Sequence, residues 1–404
     1  MHETTKAVLK SNAGRDPDRV HIKLKALRDD PFTFFRGTAP LYFSTLEMPR
    51  LLQRSPKVVA CGDLHLENFA SYKGDNRLVY FDISDFDEAC VVPLTYDLVR
   101  FAASVLVAAK YLKIGGKQAQ ALVVRFINAY AATMVSTKPR WVERASATGP
   151  IKSLLQRVKN QHRRDLISQR CVQKKGRTTL IADGKKALPV TARQRDTAKS
   201  ILAAYASTCE HPAHFESVDI ARRIAGIGSL GLERYVVLVR GDGSSDGRYL
   251  VDIKIANPSA LAATLQSRQP AWKSDAERVV TMQRVSQAIP PDLLGAVGMG
   301  KHSYIIKELQ PTADRVNLRA LDGNKRSLDN VVRTMAEVIA WAHLRGGSRF
   351  GAESIEKLAA YAHGNVWKGM LQAVAQESAT LAFTQWQEFA ADYDQSGNAF
   401  ADAL

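Results

Sequence analysis

The sequence is poor in cysteine and has no long apolar run, and these absences exclude several classes of protein. Its four cysteines, Cys61, Cys90, Cys171 and Cys209, are widely spaced and form no Cys-x-x-Cys pair, which argues against a zinc site of paired thiolates and against a disulfide framework. The longest apolar stretch, near residues 101–109, is far shorter than the ~20 residues of a membrane-spanning helix. The first 25 residues contain no apolar signal core, so we expect no export and a cytoplasmic protein with reduced thiols.

Internal repeats and low-complexity segments are also absent from the sequence. With 404 residues, the chain is long enough to bury a sizeable core and to form more than one domain or lobe. Its 46% hydrophobic and 24% charged residues are typical of a globular protein rather than of a disordered one.

Positive charge is concentrated in one part of the chain. Residues 138–199, the basic segment, contain 17 Lys and Arg residues against four acidic ones, and the formal net charge of the whole chain is +16. Such a segment suits an acidic partner, which could be a phosphorylated substrate, nucleic acid or a membrane surface. No aromatic residue interleaves with the basic residues at 156–177, which argues against single-strand binding by base stacking. A solvated surface without a partner is the alternative.

Acidic and amide side chains follow a short apolar run at a spacing typical of phosphoryl transfer. Residues 61–69 read Cys-Gly-Asp-Leu-His-Leu-Glu-Asn-Phe, and Asp63 and Asn68 stand as in the Asp-x-x-x-x-Asn loop of kinases. In such a loop the Asp orients a hydroxyl and the Asn holds a cation. Asp63 and His65 are therefore candidate catalytic residues, and Asn68 is a candidate metal ligand. An Asx turn or a helix N-cap would also place an Asp here.

A second acidic group follows the apolar residues 78–81, which predict a strand. Asp82 ends this run, and Asp85, Asp87 and Glu88 come shortly after it. Because Mg²⁺ takes oxygen ligands and few of them from the protein, Asn68 and Asp82 would suffice to hold it, with Asp85 as a further candidate. A cluster of acids in a loop is also typical of a solvated surface.

A glycine pattern lies far downstream. Gly226, Gly228, Ser229 and Gly231 form a Gly-x-Gly-x-x-Gly sequence, and glycines allow backbone amides to approach a phosphate. The pattern would open a helix in a dinucleotide-binding fold. Here β-branched and aromatic residues follow it, which favours the glycine-rich hairpin of kinases. These four residues are candidate nucleotide-binding residues.

Three charged residues after the glycine pattern are further candidates for nucleotide binding. Lys254 lies in a predicted strand where kinases have their strand lysine, although alternate strand residues face opposite sides. Glu277 follows Ser274 by three residues, so it either pairs with Lys254 or caps its own helix. Glu308 ends a predicted strand that leads into a hinge.

These motifs resemble two groups of proteins. The segments at 61–69 and 81–88 resemble the catalytic loop and the following strand of aminoglycoside and choline kinases, with Cys61 where such loops usually have His. Together with residues 32–37 and 226–231, they resemble more closely the bacterial family labelled domain of unknown function 2252, over nearly the whole chain. That family implies no activity, so the functional expectation comes from the kinase resemblance.

The order of the motifs is the reverse of that in ordinary kinases, where the glycine loop comes first. The helix at 328–343 resembles the one that normally leads into the catalytic loop, so a circular permutation between the two would explain the order. We therefore expect an α+β, protein-kinase-like two-lobed fold with permuted topology. Its expected parts are a helical lead-in (1–56), catalytic strands with a helical lobe (57–217), a nucleotide-binding β lobe (218–311) and C-terminal helices (312–404).

The sequence thus predicts a phosphotransferase that depends on ATP and Mg²⁺ and acts on a hydroxyl of a small molecule or protein. Three alternatives stay open. One is transfer of the nucleotidyl group on the same fold. Another is a metal-dependent phosphoesterase that uses Asp63, His65, Asp82 and Asp85. The last is a non-catalytic module in which the basic segment leads the binding of a nucleotide or nucleic acid.

Overall fold

The computed structural model describes residues 1–174, 176–244, 247–311 and 314–396, and these form the mixed α+β structure that the sequence predicts. Two short 3₁₀ helices lie at Pro212–Phe215 and Leu318–Leu321. The α-helices are α1 (Glu3–Asn12), α2 (Pro17–Asp29), α3 (Pro31–Gly37), α4 (Ala39–Thr45), α5 (Arg50–Gln53), α6 (Thr95–Val107), α7 (Gly116–Val135), α8 (Gly149–Lys159), α9 (Arg163–Arg170), α10 (Ala192–Ala206), α11 (Ala260–Leu265), α12 (Asp275–Ser286), α13 (Lys325–Gly346), α14 (Ile355–His363) and α15 (Val366–Ser396). The strands are β1 (Lys57–Ala60), β2 (Phe69–Lys73), β3 (Val79–Ile83), β4 (Cys90–Pro93), β5 (Val142–Glu143), β6 (Cys171–Lys174), β7 (Arg177–Leu180), β8 (Ala187–Leu188), β9 (Ser217–Arg223), β10 (Arg234–Val239), β11 (Tyr249–Ala256), β12 (Gly295–Met299) and β13 (His302–Glu308).

The largest sheet has six strands in the order β12-β13-β11-β10-β9-β8, with every neighbouring pair antiparallel. Successive strand residues point to opposite faces. One face carries apolar residues such as Val237 and Val251, which pack against Ile201 and Leu202 of α10. The other face, called the inner face below, carries the remaining alternate residues.

The inner face is partly apolar and partly charged. Val236 and Leu250 pack against Leu180 of the β6–β7 hairpin and against Ile167 of α9. Apolar side chains of α9 and of the β6–β7 hairpin thus cover part of this face, while most of the described Lys and Arg side chains of the basic segment are exposed. On the same face, the buried Asp252 pairs with Arg223 and Arg234, its neighbours on β9 and β10.

A large helical core lies beside the short strands β1 to β4. Helix α6 is buried along its whole length, and it packs in one cluster with α7, α13 and α15. The end of α13 approaches β1, since a Cβ added to Gly346 would lie 2.9 Å from Cβ of Val59. The backbone N–H of Glu353 donates to the carbonyl of Lys57 at 2.8 Å. None of the described helices combines the length and the apolar composition required to cross a bilayer.

Two loops extend from this core toward the large sheet. Residues 61–68 join β1 to β2, and residues 84–89 join β3 to β4. Strands β1 and β4 pair antiparallel, with Ala60 opposite Cys90. The pairing therefore places the start of the first loop beside the end of the second.

Candidate functional site

The two motifs that lie far apart in the sequence line one cavity of about 210 Å³. Its walls include Asp63, His65 and Asn68 of the 61–68 loop, together with Gly226, Gly228 and Ser229. The lead-in helices and the 84–89 loop complete it. The permuted order predicts that these loops face each other across one cleft, and the structure brings them together there.

Asp63 is held in the cavity wall by a buried arginine. Its Oδ1 accepts a hydrogen bond from Nε of Arg100 at 2.9 Å, and Arg100 also donates to the carbonyl of Phe35 at 2.8 Å. The guanidinium lies 3.7 Å from the centre of the Phe35 ring and 4.2 Å from that of Tyr42. The Phe32–Gly37 motif thus supports the 61–68 loop. Burial raises the pKa of Asp63, and Arg100 offsets this only in part.

His65 and Asn68 both have fixed orientations. Nδ1 of His65 accepts the N–H of Glu67 at 3.1 Å, which leaves the proton on Nε2. Burial, followed by the positive charge of Arg36, holds the pKa of His65 well below its ordinary value. Nδ2 of Asn68 donates to the carbonyls of Asp63 at 3.0 Å and Asp85 at 3.2 Å. Its Oδ1 is buried and has no hydrogen-bond partner among the described residues.

Asp82 does not line this cavity, so the predicted pairing of Asp82 with Asn68 as metal ligands is corrected. Because side chains alternate along β3, Asp82 faces away from Phe81 and Ile83. Its Oδ2 lies 3.5 Å from Nη2 of Arg345 at the end of α13. Burial raises the pKa of Asp82 to about 6, despite the nearby guanidinium.

Unlike Asp82, Asp85 and Asp87 lie beside other predicted site residues. Both line the cavity, and Lys254 forms an ion pair with Asp87 and lies 3.9 Å from Oδ1 of Asp85. Lys254 itself lies behind them, in a smaller recess of about 30 Å³. Burial pushes the pKa of Asp85 upward, but the positive charges of Lys254 and Lys307 outweigh it and lower the pKa.

The glycine loop, residues 224–233, joins β9 to β10 and lies against α2. Gly226 has φ +71° and Gly231 has φ +86°, a region that favours glycine. A Cβ at Gly231 would lie 2.7 Å from Val20 and 2.8 Å from Arg15. Gly231 is thus a packing position outside the cavity wall, whereas Gly226, Gly228 and Ser229 line the cavity.

Glu277 and Glu308, both predicted to contact the nucleotide, lie elsewhere. Oε2 of Glu277 accepts the N–H of Lys273 at 2.6 Å and its backbone N–H is capped by Ser274, so this residue caps α12. Asp87, not Glu277, pairs with Lys254. Glu308 interacts with Arg77 at 3.2 Å and with Arg163 at 3.4 Å, beside a second cavity of about 80 Å³. Neither glutamate lines the cavity of Asp63.

A comparison with family models identifies the group to which the chain is related. One model matches residues 15–395 and is described as "Uncharacterized protein conserved in bacteria (DUF2252)". The chain belongs to this family. The resemblance of its motifs to the domain of unknown function 2252 family is thereby confirmed. The match includes every residue of the cavity except Ser11. No curated protein and no solved structure matches the chain.

In this DUF2252 member, the cavity also has a cationic wall that the motifs did not reveal. It consists of Arg15, Lys23, Arg36 and Arg315. Nη1 of Arg15 donates to the carbonyl of Gly228 at 2.9 Å, and Nζ of Lys23 donates to the same oxygen at 3.2 Å. A sequence signal for Lys23 exists, because it shares the apolar side of α2 with Val20, Leu24 and Leu27.

The 61–68 loop, which carries Asp63, is held at its start by a buried carboxylate. Oδ2 of Asp97 accepts the N–H of Cys61 and its Oδ1 accepts that of Gly62, both at 2.8 Å. Nε2 of His343 lies 3.2 Å from the same carboxylate, and Tyr130 contacts the other ring nitrogen at 2.8 Å. Asp97, in the first turn of α6, thus braces the 61–68 loop from the helix that follows β4.

The oxygen atoms at the cavity are compatible with a hard cation. Among the described residues, no group of three or more His, Cys, Asp and Glu side chains is arranged to hold a metal ion. Mg²⁺ keeps several waters and needs only one or two protein ligands. The unpartnered Oδ1 of Asn68 and the carboxylate of Asp85 in this DUF2252 member fit that requirement.

Proposed function

We propose that the cavity is the active site of a phosphotransferase that depends on ATP and Mg²⁺ and acts on a hydroxyl group. The observation that carries this proposal is the meeting of the 61–68 loop with residues 226–229 in one cavity. Phosphoryl transfer depends on positioning and on neutralising phosphate charge, and it needs no nucleophilic side chain. Asp63, Asn68, Asp85 and Lys254 supply the residue types for these tasks.

The topology around the cavity supports a kinase-like arrangement in permuted order. The glycine loop joins two neighbouring strands, β9 and β10, and Lys254 lies on β11, the next strand in the chain and in the sheet. Kinases likewise carry their phosphate-contacting lysine on the third strand. The end of α13 beside β1 matches the junction that a permutation would open.

Asp63 would act as the proton acceptor for the substrate hydroxyl. One carboxylate oxygen is fixed by Arg100, and the other has no hydrogen-bond partner among the described residues. A raised pKa brings a carboxylate closer to the neutral range in which a general base works well. Nε2–H of His65 can donate to an oxygen of the substrate from the same wall.

Asn68 and Asp85 would hold Mg²⁺, which when bound neutralises charge on the nucleotide phosphates. Lys254 would contact those phosphates, since it already lies beside Asp85 and Asp87. Asp87 would orient Lys254, a role that a helix glutamate has in protein kinases. The amide groups of Gly226 and Gly228 would cover the phosphates.

Two radiolabels test the proposal. The protein is incubated with Mg²⁺ and a metabolite extract, with ATP labelled at the γ-phosphate in one reaction and at the α-phosphate in the other. We expect transfer of the γ label only, and we expect Asp63→Asn to abolish it while Asp75→Asn, at an exposed position, retains it. Transfer of the α label would establish nucleotidyl transfer instead. Transfer of neither label would refute both.

A further inference from the structure

We infer that the acceptor is an anionic alcohol, one that carries a phosphate or carboxylate group and binds the cationic wall beside Asp63. This inference rests on the proposed phosphotransferase function and specifies its second substrate. The cationic wall is the set Arg15, Lys23, Arg36 and Arg315 defined above.

Three of these four cations have no carboxylate partner among the described residues. Lys23 is only 1% exposed, and its Nζ donates to a single backbone carbonyl, that of Gly228. Arg15 donates to the carbonyls of Gly228 and Leu230. Arg36 has a buried Nε without a hydrogen-bond partner. A buried cation without a counter-ion is costly, so these groups favour an anion from outside.

The acidic residues of the cavity are occupied by other partners. Asp63 interacts with Arg100, and Asp85 and Asp87 interact with Lys254. Glu88 accepts the N–H of Ala260 at 2.6 Å. Glu67 accepts Tyr111 Oη–H at 2.9 Å and lies 3.6 Å from Arg315. The charge of Arg15, Lys23 and Arg36 is therefore not neutralised by direct ion pairs within the cavity.

Burial and the neighbouring charge of Arg15 both disfavour the charged form of Lys23. Burial, followed by the positive charge of Arg15, holds the pKa of Lys23 well below its ordinary value. An anion bound next to Nζ would favour the charged form and raise that pKa. Anion binding is therefore coupled to proton uptake by Lys23 at a pH above its pKa in the free protein.

The positions of Arg36 and Arg315 assign these two cations to the acceptor rather than to the nucleotide. Arg15 and Lys23 hold the carbonyl of Gly228 in the glycine loop, whose amides would cover the nucleotide phosphates. Arg36 and Arg315 lie instead on the side of the 61–68 loop, where, after burial, their charges help to lower the pKa of His65, and Arg315 lies 3.6 Å from Glu67. This loop carries Asp63, which the acceptor hydroxyl must reach, so an anionic group of the acceptor would meet these two cations.

Three-carbon alcohols that differ in one group provide the test. Calorimetric titration of the full chain with glycerol, glycerate and glycerol 3-phosphate measures binding, and γ-labelled ATP with Mg²⁺ measures transfer to each. We expect an anionic probe to bind and to accept label in preference to glycerol. A preference for glycerol 3-phosphate assigns the site to phosphates, and one for glycerate assigns it to carboxylates.

Variants separate this inference from the proposed function. Arg36→Gln and the more exposed Arg315→Gln should each weaken binding of the preferred anionic probe about 10- to 100-fold, the range for losing one charge-assisted hydrogen bond. The KM for ATP should not change. Arg50→Gln, which removes an exposed charge on α5, is the matched control and should bind as the wild type does.

The inference is overturned if the wild type binds no anionic probe, if glycerol accepts label equally well, or if the cavity variants bind anions normally. It is also overturned if the variants raise the KM for ATP, because the cations would then serve the nucleotide. Anion binding that depends on Arg36, without any transfer of label, would instead refute the proposed phosphotransferase function and still support the anion-binding site.

Discussion

Replacing Asp82 by Asn tests two roles of this residue: metal ligand, as the sequence motif suggested, or partner of Arg345, as the structure shows. Asp82 is 4% exposed and faces Arg345 rather than the cavity. We therefore expect Asp82→Asn to retain Mg²⁺-dependent nucleotide binding, whereas Asp85→Asn should lose it. The same substitution should also change the dependence of stability on pH, because it removes a buried titrating group.

The size of that change follows from the pKa of Asp82, which burial raises from 3.8 to about 6. Between these values the folded protein keeps a proton that the unfolded chain releases, so stability falls as pH rises through this range. Each pKa unit corresponds to about 1.4 kcal/mol, which gives a loss of about 3 kcal/mol that is complete above about pH 7. The Asn variant does not titrate there. Its free energy of unfolding should rise relative to that of the wild type by about 3 kcal/mol between about pH 3 and pH 7.

Urea titrations of both proteins at several pH values measure this difference directly. Taking the difference cancels the titration of all groups that the two proteins share. Asp75→Asn, at an exposed position between β2 and β3, is the matched control for the substitution of Asp by Asn. A difference for Asp82→Asn that stays constant with pH would refute the account of its burial, and loss of Mg²⁺ dependence would restore Asp82 as a ligand.

Three further predictions test the elements around the cavity. Asp97→Ala leaves two backbone N–H groups of the 61–68 loop without their acceptor and should cost about 3 kcal/mol or more of unfolding free energy. A loss below about 1 kcal/mol in urea titrations would show that Asp97 does not brace the loop. Gly226→Ala places a side chain at φ +71° and should cost about 1 kcal/mol. Gly228→Ala, whose Cβ would lie at an ordinary contact distance of 3.6 Å from the carbonyl oxygen of Arg36, should keep stability and weaken nucleotide binding in titration calorimetry; equal stability of the two variants would contradict the strain at Gly226. Glu277→Ala should cost about 1 kcal/mol through the lost cap of α12 and leave ATP affinity unchanged, and a weaker affinity would show that Glu277 acts through Lys254.

Local spacing predicted the parts of the site that lie within one loop. Asp63, His65 and Asn68 share the cavity wall because residues of a tight loop stay together wherever the loop packs. Gly226 and Gly228 were predictable for a similar reason, since their backbone conformation and the strands on both sides are local properties.

Residues whose role depends on distant partners could not be assigned in this way. Asp82 ends an apolar run as a metal ligand would, yet strand alternation turns it toward Arg345, which no local pattern connects with it. Glu277 satisfies a helix cap and a kinase ion pair equally well in sequence, and only the packing of Asp87 against Lys254 decides between them. For the basic segment, the sequence predicted either a face for an acidic partner or a solvated surface, but it did not show that apolar residues of the hairpin pack on the large sheet.

The cavity combines residues that lie 300 positions apart in the chain, from Arg15 to Arg315, and this has a consequence for how the protein is made. A ribosome releases Arg15 and Lys23 long before the glycine loop that they contact, so these residues stay without their partners while the sheet is synthesised. Contacts between such distant segments are costly in loop-closure entropy and tend to form late. The cavity should therefore be among the last parts to assemble, and its ability to bind a ligand would indicate that folding of the whole chain is complete.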